Sequence, residues 1–293
     1  MRIRFFPASC FTLLVLASGC AAQSTPREPI LAFKQDADDL DEVSGVAVIR
    51  SQPALLWMHN DSGDSARLFA VNTKGKIALT VNLEGAAALD WEDMDAQKQW
   101  VYVGDIGDNF KFRADVQIYR FKTPTIAAGA KKQVLNLSTA QWQKTTVRFP
   151  DGPHNCESLA VTPDGRLLLV TKEESGVSGF YVWNTAWRSG ASVTLSKLGA
   201  WQFGKAGKRE ALATGADFSS NGRKLVVTTY KDLYEFPLGR SFNFSSLQFK
   251  PEQQSLPDQK QCEAVCYSLD GRTIYSTGEG EHAEVWTLPS KLK

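Results

Sequence analysis

The side chains with most chemistry to offer are carboxylates that recur at the heads and tails of short apolar runs. Asp90-Trp-Glu-Asp-Met-Asp-Ala96 opens one such run, and Trp100-Val-Tyr-Val-Gly-Asp-Ile-Gly-Asp-Asn109 closes the next. A second Asp-x-Gly-Asp sequence stands at Asp61-Ser-Gly-Asp64, a spacing that offers two carboxylates around one tight turn. Carboxylates held within a few ångströms cannot all stay ionised unless a cation or a ring of donors compensates. Hard oxygen ligands of this kind suit Ca2+ or Mg2+. The candidate ligands are Glu92, Asp105, Glu157 and Glu263, joined by Asp61, Asp64 and Asp108 from the loops. His59 and His154 are the candidate general bases of a hydrolytic site. Asn60, Trp91, Asn109, Arg113 and Lys172 are candidate ligand contacts. The plainer reading of any single loop is that Asp and Asn bond their own backbone, and that the glutamates bond N–H groups of neighbouring strands. Neither a Gly-x-Ser-x-Gly nucleophile nor a His-x-x-x-His zinc pattern occurs.

These acids belong to a repeat. The segment from Cys156-Glu-Ser-Leu-Ala-Val to Thr171 matches that from Cys262-Glu-Ala-Val-Cys-Tyr to Thr277 almost position by position, and Thr214-Gly-Ala-Asp217 begins a third copy. Looser copies begin at Glu42 and Glu92. Glu42, Glu92, Glu157 and Glu263, with Thr214 in the fourth copy, are read as equivalent. Each copy reads as strand, tight turn, strand, loop, strand. The Asp-Gly and Asn-Gly pairs are read as two-residue hairpin loops whose central residues both accept positive φ. Fourth strands are expected near Ile77–Leu83, Thr145–Phe149, Thr194–Phe203 and Ser245–Phe249. Four-stranded units about fifty residues apart are the mark of a β-propeller. The expectation is an all-β, single propeller of five blades, with residues 29–34 joining the C-terminal blade to close the ring. A sixth blade within residues 123–143 is the alternative to reading that stretch as an insertion in the second blade. Loops would sort into an acidic face, which also takes His59, His154 and His282, and a basic face that includes Arg166, Arg223 and Arg272.

The motifs His59-Asn-Asp-Ser-Gly-Asp64, Trp91-Glu-Asp-Met94, Val103-Gly-Asp-Ile-Gly-Asp-Asn109, Thr214-Gly-Ala-Asp217 and Gln261-Cys-Glu-Ala264 resemble those of an uncharacterised family of secreted bacterial β-propeller lipoproteins, near the phytase-like esterases. The resemblance spans the mature chain. It implies the fold and no established reaction.

Met1-Arg-Ile-Arg4 and the apolar run that follows form a secretory signal over residues 1–19. Leu16-Ala-Ser-Gly-Cys20 resembles a lipobox, with Ala17 where leucine is usual. Cys20 would carry the lipid, residues 20–28 would form a tether and residues 29–293 the propeller. The expected location is the outer membrane, facing the periplasm and held only by that anchor; a soluble periplasmic or secreted protein is the alternative. With 33 basic and 32 acidic side chains, charge gives no case for nucleic acid. Cys156, Cys262 and Cys266 are an odd set, so at least one stays unpaired. The function expected is a monomeric ligand-binding or protein-interaction module for an unknown small molecule or protein. A metal-dependent hydrolase of esters, lactones or phosphoesters is the alternative.

Overall fold

A computed structural model describes residues 28–126, 132–239 and 250–292. The signal, Cys20 and the fourth strand expected at 245–249 lie outside these. The first strand, β1 (Ile30–Lys34), precedes the blades. Blade 1 is β2 (Val43–Val48), β3 (Leu55–Asn60), β4 (Arg67–Asn72) and β5 (Ile77–Leu83). Blade 2 holds β6 (Trp91–Gln97), β7 (Trp100–Asp105) and β8 (Val116–Lys122); then come β9 (Gln133–Leu137) and the blade's fourth strand, β10 (Trp142–Arg148). Blade 3 is β11 (Cys156–Val161), β12 (Leu167–Thr171), β13 (Val177–Trp183) and, after β14 (Ser192–Thr194), β15 (Ser196–Gln202). Blade 4 is β16 (Ala213–Phe218), β17 (Lys224–Thr229), β18 (Asp232–Pro237) and β19 (Glu252–Ser255); blade 5 is β20 (Cys262–Tyr267), β21 (Thr273–Gly278) and β22 (Glu284–Pro289). β1 lies antiparallel to β22 as the outermost strand of that sheet. The inner strands touch in the cyclic order β2, β6, β11, β16, β20 and back to β2. The fold is a five-bladed propeller, and no sixth blade is present among the described residues.

The first two strands of each blade are buried on both faces, and most are correspondingly rich in apolar residues on both. In β12, Leu167 and Leu169 pack toward blade 2, whereas Leu168 and Val170 pack toward blade 4. Each junction between neighbouring blades has its own apolar cluster, the one between blades 5 and 1 joining Ala264 and Cys266 to Val46 and Met58. All three described cysteines are buried and unpaired.

The insertion expected in blade 2 is present, with a strand that the sequence did not show, and the hairpin turns differ from expectation. Residues 123–143 are an insertion in blade 2 that supplies β9, which crosses to the edge of blade 1 and runs parallel to β5; β14 extends blade 2 in the same way. The Asp-Gly and Asn-Gly hairpins have positive φ only at Gly165, Gly222 and Gly271. Their glycine N–H closes onto the carbonyl three residues back, which is a type I turn with a glycine bulge.

Candidate functional site

Every inner strand carries a β-bulge at the same place. The pairing register slips between Val43 and Gly45, Trp91 and Asp93, Cys156 and Ser158, Ala213 and Gly215, and Cys262 and Ala264. A bulge leaves one residue unpaired and re-aims its side chain. The five residues so turned are Ser44, Glu92, Glu157, Thr214 and Glu263, all buried. Glu42, which the sequence reading placed in this ring, lies two residues early and is exposed; Ser44 is its true counterpart. The second strand of each blade ends opposite the bulge, so the residue just after it forms a second tier: Asp61, Ile106, Lys172, Tyr230 and Glu279.

The two tiers make a site with unlike halves. In one half, ligand atoms of Asp61, Asp90 and Glu92 lie within 4.8 Å of one another, close enough to share a metal ion. Glu92 Oε2 accepts a 3.5 Å bond from Ser44 Oγ. Gly107 forms the floor: a Cβ there would overlap Glu92 Oε1 and Asp90 Oδ2. Its glycine identity answers this close approach, since its φ is not left-handed. In the other half, Lys172 Nζ stands 2.5 Å from Glu157 Oε2 and donates to Tyr230 Oη at 2.6 Å. Asn155 Nδ2 donates to Glu157 Oε1 at 3.2 Å, Gln261 Nε2 bonds Glu263 and Glu279, and the Arg209 guanidinium lies over the Tyr230 ring.

The electrostatics follow from burial. Burial, with Glu157, Asp61 and Asp90 adding repulsion, raises Glu92 well above the usual carboxylate range. Burial and the neighbouring Asp61 lift Asp90 to about 6 against the pull of Arg113. Burial lifts Glu157 to about 7 even though Lys172 opposes it, and Glu263 is raised by burial and then by Glu157. For Lys172, burial acts downward, but the Glu157 and Glu263 carboxylates outweigh it and keep the ammonium charged. One lysine cannot neutralise this ring. The half containing Asp61, Asp90 and Glu92 suits a hard divalent cation.

Several candidate residues have other duties. Asp105 is fully buried and accepts from Arg113 Nη1 at 2.9 Å and the Asp90 N–H at 3.2 Å. Arg113 also donates to the carbonyls of Gly107 and Asp105, so it braces the floor of the site from within. Asp108 caps its own loop by accepting from the N–H groups of Phe112 and Arg113. Asp64 is held by Arg67 and Asn60, and Asn60 also bonds the Asp39 carbonyl. Asn109 accepts from Asn155. Trp91 is 1 % exposed and packs between blades 1 and 2, away from the mouth. His59 is wholly buried against Trp91 with its pKa lowered to about 4 by burial, and a Cβ on Gly45 would overlap its Nε2. It has no path to solvent as a base. His154 belongs to an outer network on blade 3, with Nδ1 3.0 Å from Glu173 and Nε2 3.1 Å from Asp151, and touches none of the ring carboxylates. Asp90 is the metal-site residue missing from the sequence reading of the site. Its signal was its place directly before the Trp-Glu bulge.

The fold and these two tiers define a five-bladed propeller with a polar, carboxylate-rich axial site. No family model and no curated protein matches the sequence. Among solved structures, a gluconolactonase from Xanthomonas campestris aligns over 86 % of this chain and 87 % of its own, at 13 % identity and a TM-score of 0.48. The PQQ-bound aldose sugar dehydrogenase of Streptomyces coelicolor aligns over 91 % and 99 %, at 11 % identity and a TM-score of 0.49. Similarity at this level concerns the propeller architecture alone.

Proposed function

We propose that this protein is a ligand-binding propeller that takes one divalent cation on Asp61, Asp90 and Glu92 and seats an anionic oxygen ligand between that cation and Lys172. The observation that carries this reading is the trio itself: three converging carboxylates from two blades. Export and an N-terminal lipid on Cys20 remain part of the reading on the strength of the signal and lipobox-like sequence. The test is a melting scan in calcium, in magnesium and in EDTA. A metal-dependent rise is expected, and its absence would reduce the ring to hydrogen-bonded scaffolding.

The second reading is hydrolysis of an ester, lactone or phosphoester, for which a cation at this site would supply electrophilic polarisation. It is favoured by Glu157, a buried carboxylate one blade on, with Lys172 and Tyr230 as donors beside it. A chelator-sensitive turnover on a panel of ester and phosphoester probes, lost in Glu157→Gln with the fold intact, would favour it. A metal-dependent melting rise with no turnover favours binding.

A further inference from the structure

The segment that floors the carboxylate trio also presents the most exposed aromatic rings among the described residues. Three residues beyond Gly107, Phe110 is 77 % exposed, and Phe112 is 82 % exposed. Their rings stack nearly parallel, with centroids 5.7 Å apart and planes 15° apart. Leu89, also exposed, directly precedes Asp90. Single exposed apolar side chains need no explanation, but this pair is displayed by a braced loop. Asp108 ties down the N–H groups of Phe112 and Arg113 at 2.9 and 2.7 Å. Arg113 ties back to the Gly107 carbonyl at 2.7 Å. Between the two rings, Lys111 takes a left-handed φ of 56°, a conformation uncommon outside glycine, and its Nζ reaches Glu173 of the next blade at 2.7 Å. Both cations of the loop are thus engaged by protein groups, and what it offers outward is an apolar ring surface next to a charged mouth.

We infer that Phe110 and Phe112 form the apolar half of the ligand site, so that the ligand is a carboxylate or phosphate ester carrying a flat apolar ring. The inference rests on the cation-site reading above. The charge complementarity is divided: the anionic head meets the cation and Lys172, and the ring meets the exposed phenylalanine pair, which asks for no charge. Three residues of chain span at most about 11 Å, which bounds the separation of the Gly107 and Phe110 backbones. Ring-on-ring contact of this kind adds binding beyond simple burial.

The experiment is isothermal titration in saturating calcium with two matched pairs of probes, phenyl phosphate against inorganic phosphate and benzoate against acetate. Wild type is compared with the double variant Phe110→Ala/Phe112→Ala, whose side chains are exposed and whose melting point serves as the folding control. The expected result is that, in at least one pair, the ring-bearing probe binds wild type about tenfold more tightly than its ringless partner. That advantage should vanish in the double variant while the ringless probe keeps its affinity. The pair that shows it identifies the head group. If wild type melts higher in calcium yet shows no ring advantage, or the advantage survives in the double variant, the ring assignment falls and the cation site stands. If calcium leaves the melting point unmoved, the cation reading falls and takes this inference with it. Self-association in sedimentation, or flotation with phosphatidylglycerol vesicles, that disappears with the two phenylalanines would give the pair to a second copy or to lipid, and overturns the inference equally.

Discussion

Gly107→Ala separates a metal site from a merely acidic one. The new methyl would overlap Glu92 Oε1 and Asp90 Oδ2 and stand 2.5 Å from Asp90 Cγ. Both obstacles are the ends of side chains, so the fold can yield by letting the carboxylates swing aside by roughly 1 Å to reach ordinary contact. Overpacking of this sort costs about 1–3 kcal/mol. Calcium–oxygen bonds need about 2.3–2.6 Å, so the same displacement removes two of three protein ligands. A cation present at about 100 times its Kd stabilises the native state by about 2.7 kcal/mol. For a domain of this size each 1 kcal/mol moves Tm by about 2–4 °C, so wild type should gain roughly 5–11 °C in calcium over EDTA. Gly107→Ala should melt a few degrees lower in EDTA and gain less than about 2 °C from calcium. Gly104→Ala is the matched control: its Cβ would meet Ile106 Cδ1 at 2.9 Å, so it should lose stability and keep the calcium response. Differential scanning fluorimetry with both variants decides it. A Gly107→Ala protein that gains as much from calcium as wild type would refute the argument that this glycine holds open a cation site.

Glu92→Gln should abolish the calcium-dependent rise in Tm and His154→Gln should leave it intact, because His154 touches none of the ring carboxylates; loss of the response in both would mean the trio has been misassigned. Lys172→Met removes the counter-cation of Glu157 and Glu263, and breaking a buried pair costs about 3–5 kcal/mol; urea unfolding at pH 8 in EDTA should show a loss of that order, and a loss below 1 kcal/mol would mean the ammonium is not what holds the two carboxylates. Asp90 and Glu157 titrate near 6 and 7 in the folded chain, above their ordinary 3.8 and 4.5, so the stability they contribute is complete below about pH 4 and is lost as pH rises through 6 to 7. His59, depressed to about 4, works the other way but is outnumbered by raised carboxylates, Asp95 at about 7 among them. Metal-free protein should therefore melt lower at pH 8 than at pH 5.5, and the calcium-induced rise should grow over the same interval because the cation needs the ionised carboxylates. A calcium response independent of pH would contradict that assignment.

The fold was legible because repetition carries it. The copies beginning at Cys156 and Cys262 align without gaps, and burial of both strand faces leaves unbroken runs such as Leu167-Leu-Leu-Val170. What repetition could not show was where a side chain points. A strand read by alternation gives Glu42, Glu92, Glu157 and Glu263 a common role. The bulge moves the inward position to the residue after Val43, Trp91, Cys156, Ala213 and Cys262, and puts Ser44 where a glutamate was expected. The same slip brings Asp90 into the site and leaves Asp105 beneath it, occupied with Arg113. The two histidines misled because residue type alone suggested bases: His59 is buried away from any proton donor in solvent, and His154 is held in a network with Glu173 and Asp151 away from the ring carboxylates. Five copies of one bulge also explain why the ring is asymmetric. The backbone repeats the same inward position five times, and sequence fills it with Ser44, Glu92, Glu157, Thr214 and Glu263, and the tier above with Asp61, Ile106, Lys172, Tyr230 and Glu279. A lysine over one glutamate and an aspartate toward the next turn a fivefold scaffold into a site with one ammonium side and one open carboxylate side. Such a division polarises whatever binds across it, which is why the ligand expected here is one with an anionic head placed between the two.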